Sequence, residues 1–230
     1  MRPFTCAAIA FALSAIPGSV LAAERPTVAA ASGNIVLTIG GRMVPLTSSG
    51  MDLDPALSPN GSLVVFTRKT AQASAGTCDL AVPEHRELWV IGADKSNEHE
   101  LLAGKDTKDP KDSLCDFADK QFSSDGRKVL FETPAWATSG ALHEIDLTTG
   151  AERYLLPSNG FRILTDCAMH EYRDHLVVNQ HRYFVFGGSY DWYWLFSPDG
   201  RTELGAVGED VGPLEEACDL QLNLGGARNG

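Results

Sequence analysis

Basic residues are in short supply: 19 Lys and Arg stand against 30 Asp and Glu, a net charge of −11. Attraction to a phosphate backbone rests on clustered Lys and Arg, so no nucleic-acid partner is expected. Close cysteine pairs of the C-x-x-C kind are missing, which removes the usual structural zinc site. No phosphate loop, dinucleotide fingerprint or EF-hand loop occurs, and no cofactor is expected. Long apolar stretches of helical period are lacking too. The apolar runs are short, rich in Val, Ile, Leu and aromatics, and bounded by Gly, Pro, Asn and Asp, which is the signature of an all-β chain.

The chain does contain a recurring unit. Asp54-Pro55-Ala56-Leu57 runs into a Ser58-Pro59-Asn60-Gly61 turn and the apolar run Leu63 to Phe66, which reads as a hairpin. Glu87 to Asp94 and Glu98 to Leu102 read as a second hairpin, so four strands make one antiparallel sheet. Gln121 to Phe131 repeats the first hairpin and Ala141 to Leu156 the second. A divergent third copy puts Tyr183-Phe184-Val185-Phe186 at the place of Val129 to Phe131, with Trp194 to Leu204 as its outer hairpin. With Ile91, Ile145 and Phe196 equivalent, the repeat spacings are 54 and 51 residues. Four-stranded repeats near this length are propeller blades.

The residues Pro55-Ala56-Leu57-Ser58-Pro59-Asn60-Gly61-Ser62-Leu63-Val64-Val65-Phe66, followed by Glu87-Leu88-Trp89-Val90-Ile91-Gly92-Ala93-Asp94, resemble the repeat of TolB-like β-propellers, relatives of the WD-repeat group. The resemblance spans about Ile35 to Leu224 and implies a scaffold that hosts many functions.

Residues 1–23 have Arg2, an apolar stretch from Ala7 to Ile16, a Pro17-Gly18 break and the small-residue end Val20-Leu21-Ala22-Ala23, the layout of a secretory signal peptide. Residues 24–230 then form a single propeller domain without a membrane span, periplasmic or secreted. Loss of Arg2 leaves 18 basic residues against 30 acidic, a net charge of −12. Four cysteines remain, an even number that suits an oxidising compartment, and of the three possible pairings the favoured one joins Cys78 with Cys115 and Cys167 with Cys218. Arg25 to Ser32 reads as a lead-in or one strand, and Asn34 to Leu46 as an outer hairpin around Gly40-Gly41. Cys218 to Leu224 reads as an inner strand without an outer hairpin. Joined, the two ends would complete a fourth blade and close the ring, removing exposed sheet edges. A ring left incomplete would instead close against a second chain, so monomer and homodimer are both open.

Two segments invite a chemical reading. Asp166 to His175 holds two His and three acids, with His170 and Glu171 as the metal or catalytic candidates. The His-to-His step is five, where a zinc helix needs four, so the metalloprotease reading fails. His170 could still join ligands from other blades at the channel, against the plainer reading of ordinary strand residues. Gly187-Gly188-Ser189-Tyr190-Asp191 misses the last glycine of a nucleophile elbow and precedes no helix. Trp192 and Trp194 share one strand face, with Tyr193 on the other. They are candidates for sugar stacking, against the default of packing between blades. The expected function is a non-catalytic exported scaffold for a protein or envelope partner. The alternative is a small propeller enzyme, a polysaccharide lyase or hydrolase with a metal or acid site at the channel.

Overall fold

The computed structural model describes residues 25–73, 78, 84–220 and 222. Residues 1–23, where the signal peptide is expected, lie outside that range. The strands assemble in chain order into four antiparallel sheets, and the fold is a β-propeller. The first sheet is β1 (Thr27–Ala31), β2 (Asn34–Ile39) and β3 (Arg42–Pro45). The second is β4 (Asp52–Leu57), β5 (Leu63–Ala73), β6 (Glu84–Gly92) and β7 (His99–Leu102). The third is β8 (Ala118–Phe122), β9 (Lys128–Pro134), β10 (Gly140–Asp146) and β11 (Glu152–Ser158). The fourth is β12 (Phe161–Ile163), β13 (Leu176–Tyr183), β14 (Ser189–Phe196) and β15 (Glu203–Gly208).

The turns explain the repeat. Ser58, Ser123 and Ser197 each accept at their backbone carbonyl from a glycine three residues on, namely Gly61, Gly126 and Gly200. The Asn60, Asp125 and Asp199 side chains accept from the backbone N–H two residues further along, closing the same Asx turn three times.

Alternate apolar residues then fill the space between sheets. Ile35, Leu37 and Leu46 of the first sheet and its exit meet Val64, Phe66 and Ile91 of the second. Val65, Leu88 and Val90 meet Phe122, Val129, Phe131 and Ile145 of the third, with Phe117 wedged beside them. Leu130, Leu142 and Leu156 meet Phe161, Ile163, Leu176 and Val178 of the fourth. Each fully buried Phe or Leu contributes about 1.5 to 3 kcal/mol of transfer free energy. The first strands pack side by side, β1 by β4, β4 by β8 and β8 by β12, so they line the axial side.

Two expectations need correction. The second strand of the last repeat is Leu176–Tyr183, not Tyr183 to Phe186: Leu176 pairs with Phe196 as Val64 does with Ile91, and Phe184 to Phe186 form the hairpin turn. The connection between β12 and β13 is long, and it displaced the register read from apolar content alone. Of the two readings of Arg25 to Ser32 the strand is the one found, β1, paired along its length with β2. Finally, Cys218 does not begin a closing strand but ends a helix, α1 (Gly212–Cys218). Pro213 at the helix start and Leu214-Glu215-Glu216-Ala217 behind it are good helix formers. Among the described residues the first sheet therefore holds three strands, all from the N-terminal segment. Residues 221 and 223–230 lie outside the description.

Helix α1 has a packing role of its own. Leu214 and Cys218, with Val211 and Leu222 around them, cover Val177, Tyr193 and Leu195 on the far face of the fourth sheet. Cys167 and Cys218 stand at disulfide distance, Sγ to Sγ 2.10 Å, and the Ala168 N–H donates to the Cys218 carbonyl at 2.9 Å. Cys78 and Cys115 form the other such pair, at 2.07 Å.

Candidate functional site

Antiparallel alternation puts the start of β4, the start of β8, the 103–117 connection and the 184–188 turn on one rim. Two features on this rim stand out, a polar cleft and an apolar hairpin tip.

The cleft has a volume of about 430 Å³ and is lined by Asp54, Pro55, Arg86, Asp116, Ala118, Asp119 and Lys120. Its walls come from the same step of two successive repeats. Leu53-Asp54-Pro55-Ala56-Leu57-Ser58 matches Ala118-Asp119-Lys120-Gln121-Phe122-Ser123, and the strand register breaks at that step in both. The break throws Asp54 and Asp119 into the left-handed region, φ 47° and 50°, with both carboxylates exposed. Asp tolerates that conformation better than most residues, at a cost of about 1 kcal/mol.

Where the first of these repeats has Pro55, the next has Lys120, only 8% exposed. Its Nζ donates to Thr67 Oγ1 at 2.8 Å and to the Phe117 carbonyl. Burial pushes the Lys120 ammonium down to about 8, opposed by the charges of Asp54, Asp116 and Asp119 and reinforced by Arg86. Arg86 donates from Nη1 to Asp116 Oδ1 at 2.7 Å, and the same oxygen accepts the Phe117 N–H.

The hairpin tip is the apolar counterpart. Tyr183 is 68% exposed, Phe184 52%, Val185 94% and Phe186 fully. Gly187 and Gly188, at φ 98° and 84°, let the chain reverse immediately after these residues. The Phe184 ring meets Tyr190 at 4.6 Å between centroids, and Tyr190 meets Trp192 at 4.9 Å. These aromatics lead along β14 into the sheet interface. Trp194 packs against the core between the third and fourth sheets, with the Arg182 guanidinium 3.6 Å from its ring centre. Arg182 is fixed there by Gln180 and Glu203.

Trp192 and Trp194, the sequence candidates for binding, thus divide: Trp192 is half-buried on the aromatic row, and Trp194 is an interface residue. His170 and Glu171 lie elsewhere. They sit exposed on a short 3-10 turn, His170–Tyr172, in the connection on the opposite rim. His170 Nδ1 faces Arg173 Nη2 at 3.5 Å, and His175 Nδ1 faces the Arg173 carbonyl at 3.3 Å. Among the described residues no three His, Cys, Asp or Glu side chains cluster in a way that would hold a metal ion. Sequence reasoning passed over Asp54, Asp119 and Lys120, although the repeat alignment marks all three: the first two as a matched pair, the last as a Lys facing a Pro.

No family model and no curated protein sequence matches the chain. Among solved structures it is similar to the β-propeller domain of the Trilobed protease from Pyrococcus furiosus, at 16% identity over 74% of this chain and 48% of that one, TM-score 0.47. It is also similar to TolB from Acinetobacter baumannii, at 15% identity over 74% and 47%, TM-score 0.32. A third is an oligogalacturonate lyase in complex with manganese, at 14% identity over 74% and 40%, TM-score 0.45. The chain spans less than half the length of each of these three, and what they have in common with it is the propeller fold.

Proposed function

We propose that the mature protein is an exported, non-catalytic scaffold of the TolB-like kind, which binds a protein partner of the cell envelope through the 183–190 hairpin. The observation that carries this reading is the tip itself, where four consecutive large side chains, Tyr183 to Phe186, stand exposed on a hairpin braced by Arg182 and Trp194. Exposed aromatics on a rigid support are what anchor a protein interface, because they bury much area and lose little side-chain entropy. A protein is favoured over an anionic bilayer by the net charge of −12 on the mature chain, which repels such a surface. The two cysteine pairs at disulfide distance support an oxidising compartment. His170 and Glu171 sit exposed on the opposite rim, away from the cleft, which favours the scaffold over the metal-dependent alternative.

A photo-cross-linker placed at Val185 of the exported protein in its own cell envelope tests this. A discrete protein adduct that disappears in Phe186→Ser, while the melting temperature stays unchanged, is the expected result. Adducts with lipid alone, with a second copy of the chain, or none at all would overturn it.

A further inference from the structure

The hairpin that carries the exposed tip outruns its outer neighbour. β15 reaches only as far as Tyr193, opposite Gly208, and at Gly208, φ 122°, the strand ends and the chain continues into α1. Ser189 to Trp192 are paired with Gln180 to Tyr183 on one side and with no strand among the described residues on the other. We infer that this edge takes an extended segment of the partner protein as an added strand, continuing the line that β15 leaves at Gly208. The inference rests on the reading of the hairpin as a protein-binding element and adds the way in which the partner is held.

Three observations carry it. The first is the phase of the backbone, because successive residues of an antiparallel strand turn their N–H and C=O to opposite sides. The Phe184 N–H donates to the Gly188 carbonyl at 3.1 Å, so Arg182 bonds Tyr190 and Gln180 bonds Trp192 within the hairpin. The Asn179 N–H, which donates the other way to the Gly160 carbonyl, keeps the same phase. Ser189 and Asp191 therefore aim their N–H and C=O outward, where β15 no longer reaches. Such a row of open groups is what holds an extended peptide in strand addition.

The second observation is that this edge lacks the devices that close others. β3 and β11 contain Pro45 and Pro157, and β7 is only four residues long. Ser189 to Trp192 hold neither proline nor lysine.

The third is the choice of side chains, which defines the segment that fits. Tyr190 and Trp192 stand on one face with ring centres 4.9 Å apart. Asp191 stands on the other, 58% exposed, with Oδ1 2.9 Å from His181 Nδ1. A strand laid here sets apolar side chains against the two rings and a side chain between them beside Asp191, a place that suits Lys or Arg. An antiparallel second copy would bring one Asp191 toward the other, which disfavours self-pairing.

The test uses the full exported chain in its own envelope, with the photo-cross-linker at Val185, and compares Asp191→Pro with Asp191→Asn. Proline at this position deletes an N–H that the hairpin does not use and sets its ring against an incoming strand, whereas Asn keeps the edge and loses only the charge. The protein adduct is expected to persist in Asp191→Asn and to fall at least about tenfold in Asp191→Pro, with melting temperatures unchanged. Amide exchange of the free wild-type protein reads the edge without a variant: Ser189 and Asp191 are expected to exchange fast, Tyr190 and Trp192 slowly. Slow exchange at Asp191, equal adduct yields in the two variants, or equal losses in both would overturn strand addition and leave the hairpin reading standing. Absence of a protein adduct in the wild type, or an adduct with a second copy of the chain, would overturn both.

Discussion

Asp54 and Asp119 face one cleft from neighbouring strands, and each is held at a backbone angle that an L-residue adopts only at a cost, φ 47° and 50°. Two repeats have kept the same strained step with the same acid. Asp is among the L-residues that adopt this conformation most readily, and both side chains are exposed. Replacing Asp119 with Gly removes the strain at the expense of a more flexible unfolded chain, so stability is expected to hold or rise by up to about 1 kcal/mol. Urea unfolding checks this. A loss of more than about 1 kcal/mol would make Asp119 a structural residue.

Lys120 gives stability a pH dependence of a defined sign. Its folded value near 8 lies below the ordinary 10.5, so between those limits the unfolded chain binds more protons and stability rises with pH. The wild type is expected to gain up to about 2 kcal/mol between pH 7.5 and 9.5. Lys120→Met, which fills similar volume without the charge, should flatten that slope and be at least as stable at pH 7. Equal slopes in the two proteins would show that the amine is not protonated at the cost its burial implies.

The buried His143 pairs with the half-buried Glu152, Nδ1 to Oε1 2.7 Å, with the imidazole stacked on Phe131. Burial pushes the Glu152 carboxyl up, but the hydrogen bond and charge of His143, with Lys105, outweigh it and hold the carboxyl below the usual range. A group depressed in the folded state stabilises above its unfolded value and loses that contribution as pH falls. The melting temperature should therefore decline as pH drops below about 4.5, and Glu152→Gln should show a shallower decline. At pH 7 the substitution is expected to cost about 1 to 3 kcal/mol, because it weakens the partner of a fully buried ring.

The cysteine pairs are expected to be covalent in the exported protein. Cys167–Cys218 spans 51 residues and Cys78–Cys115 spans 37, and chain-entropy estimates for loops of these lengths are roughly 4 kcal/mol each. Peptide mapping without reductant should find both links. Cys167→Ala with Cys218→Ala should lower the melting temperature by about 8 to 16 °C. Recovery of free thiols from the exported protein would contradict this.

The blade pattern was legible in the sequence because its turns are local chemistry. Ser-x-Asn/Asp-Gly fixes a reversal by hydrogen bonds within five residues, and apolar alternation fixes which face goes inward. The last repeat was misread where locality failed. Phe184-Val185-Phe186 looks like a core strand by composition, and only pairing with β14 reveals a hairpin tip that solvent surrounds. Gly212–Cys218 escaped for the opposite reason, being too short for helical period to register. The cleft was the least legible, since burial of Lys120 depends on Thr67 of the second sheet and Phe117 of the connection before the third coming together around it.

The covered flank of the fourth sheet makes the molecule directional. A stack of sheets can grow wherever an apolar face is left bare, and a head-to-tail contact that does not close grows into a fibre. At the first sheet, Ala29 and Met43 leave one such face open to solvent. At the other end Leu214 and Cys218 occupy the place where the next sheet would land. Helix α1 is expected to stop such growth, because it already covers Val177, Tyr193 and Leu195. A protein cut before Gly212 would bare Val177, Tyr193 and Leu195 and carry two complementary ends, so light scattering of that truncation is expected to reveal open-ended oligomers at concentrations where the full chain shows none.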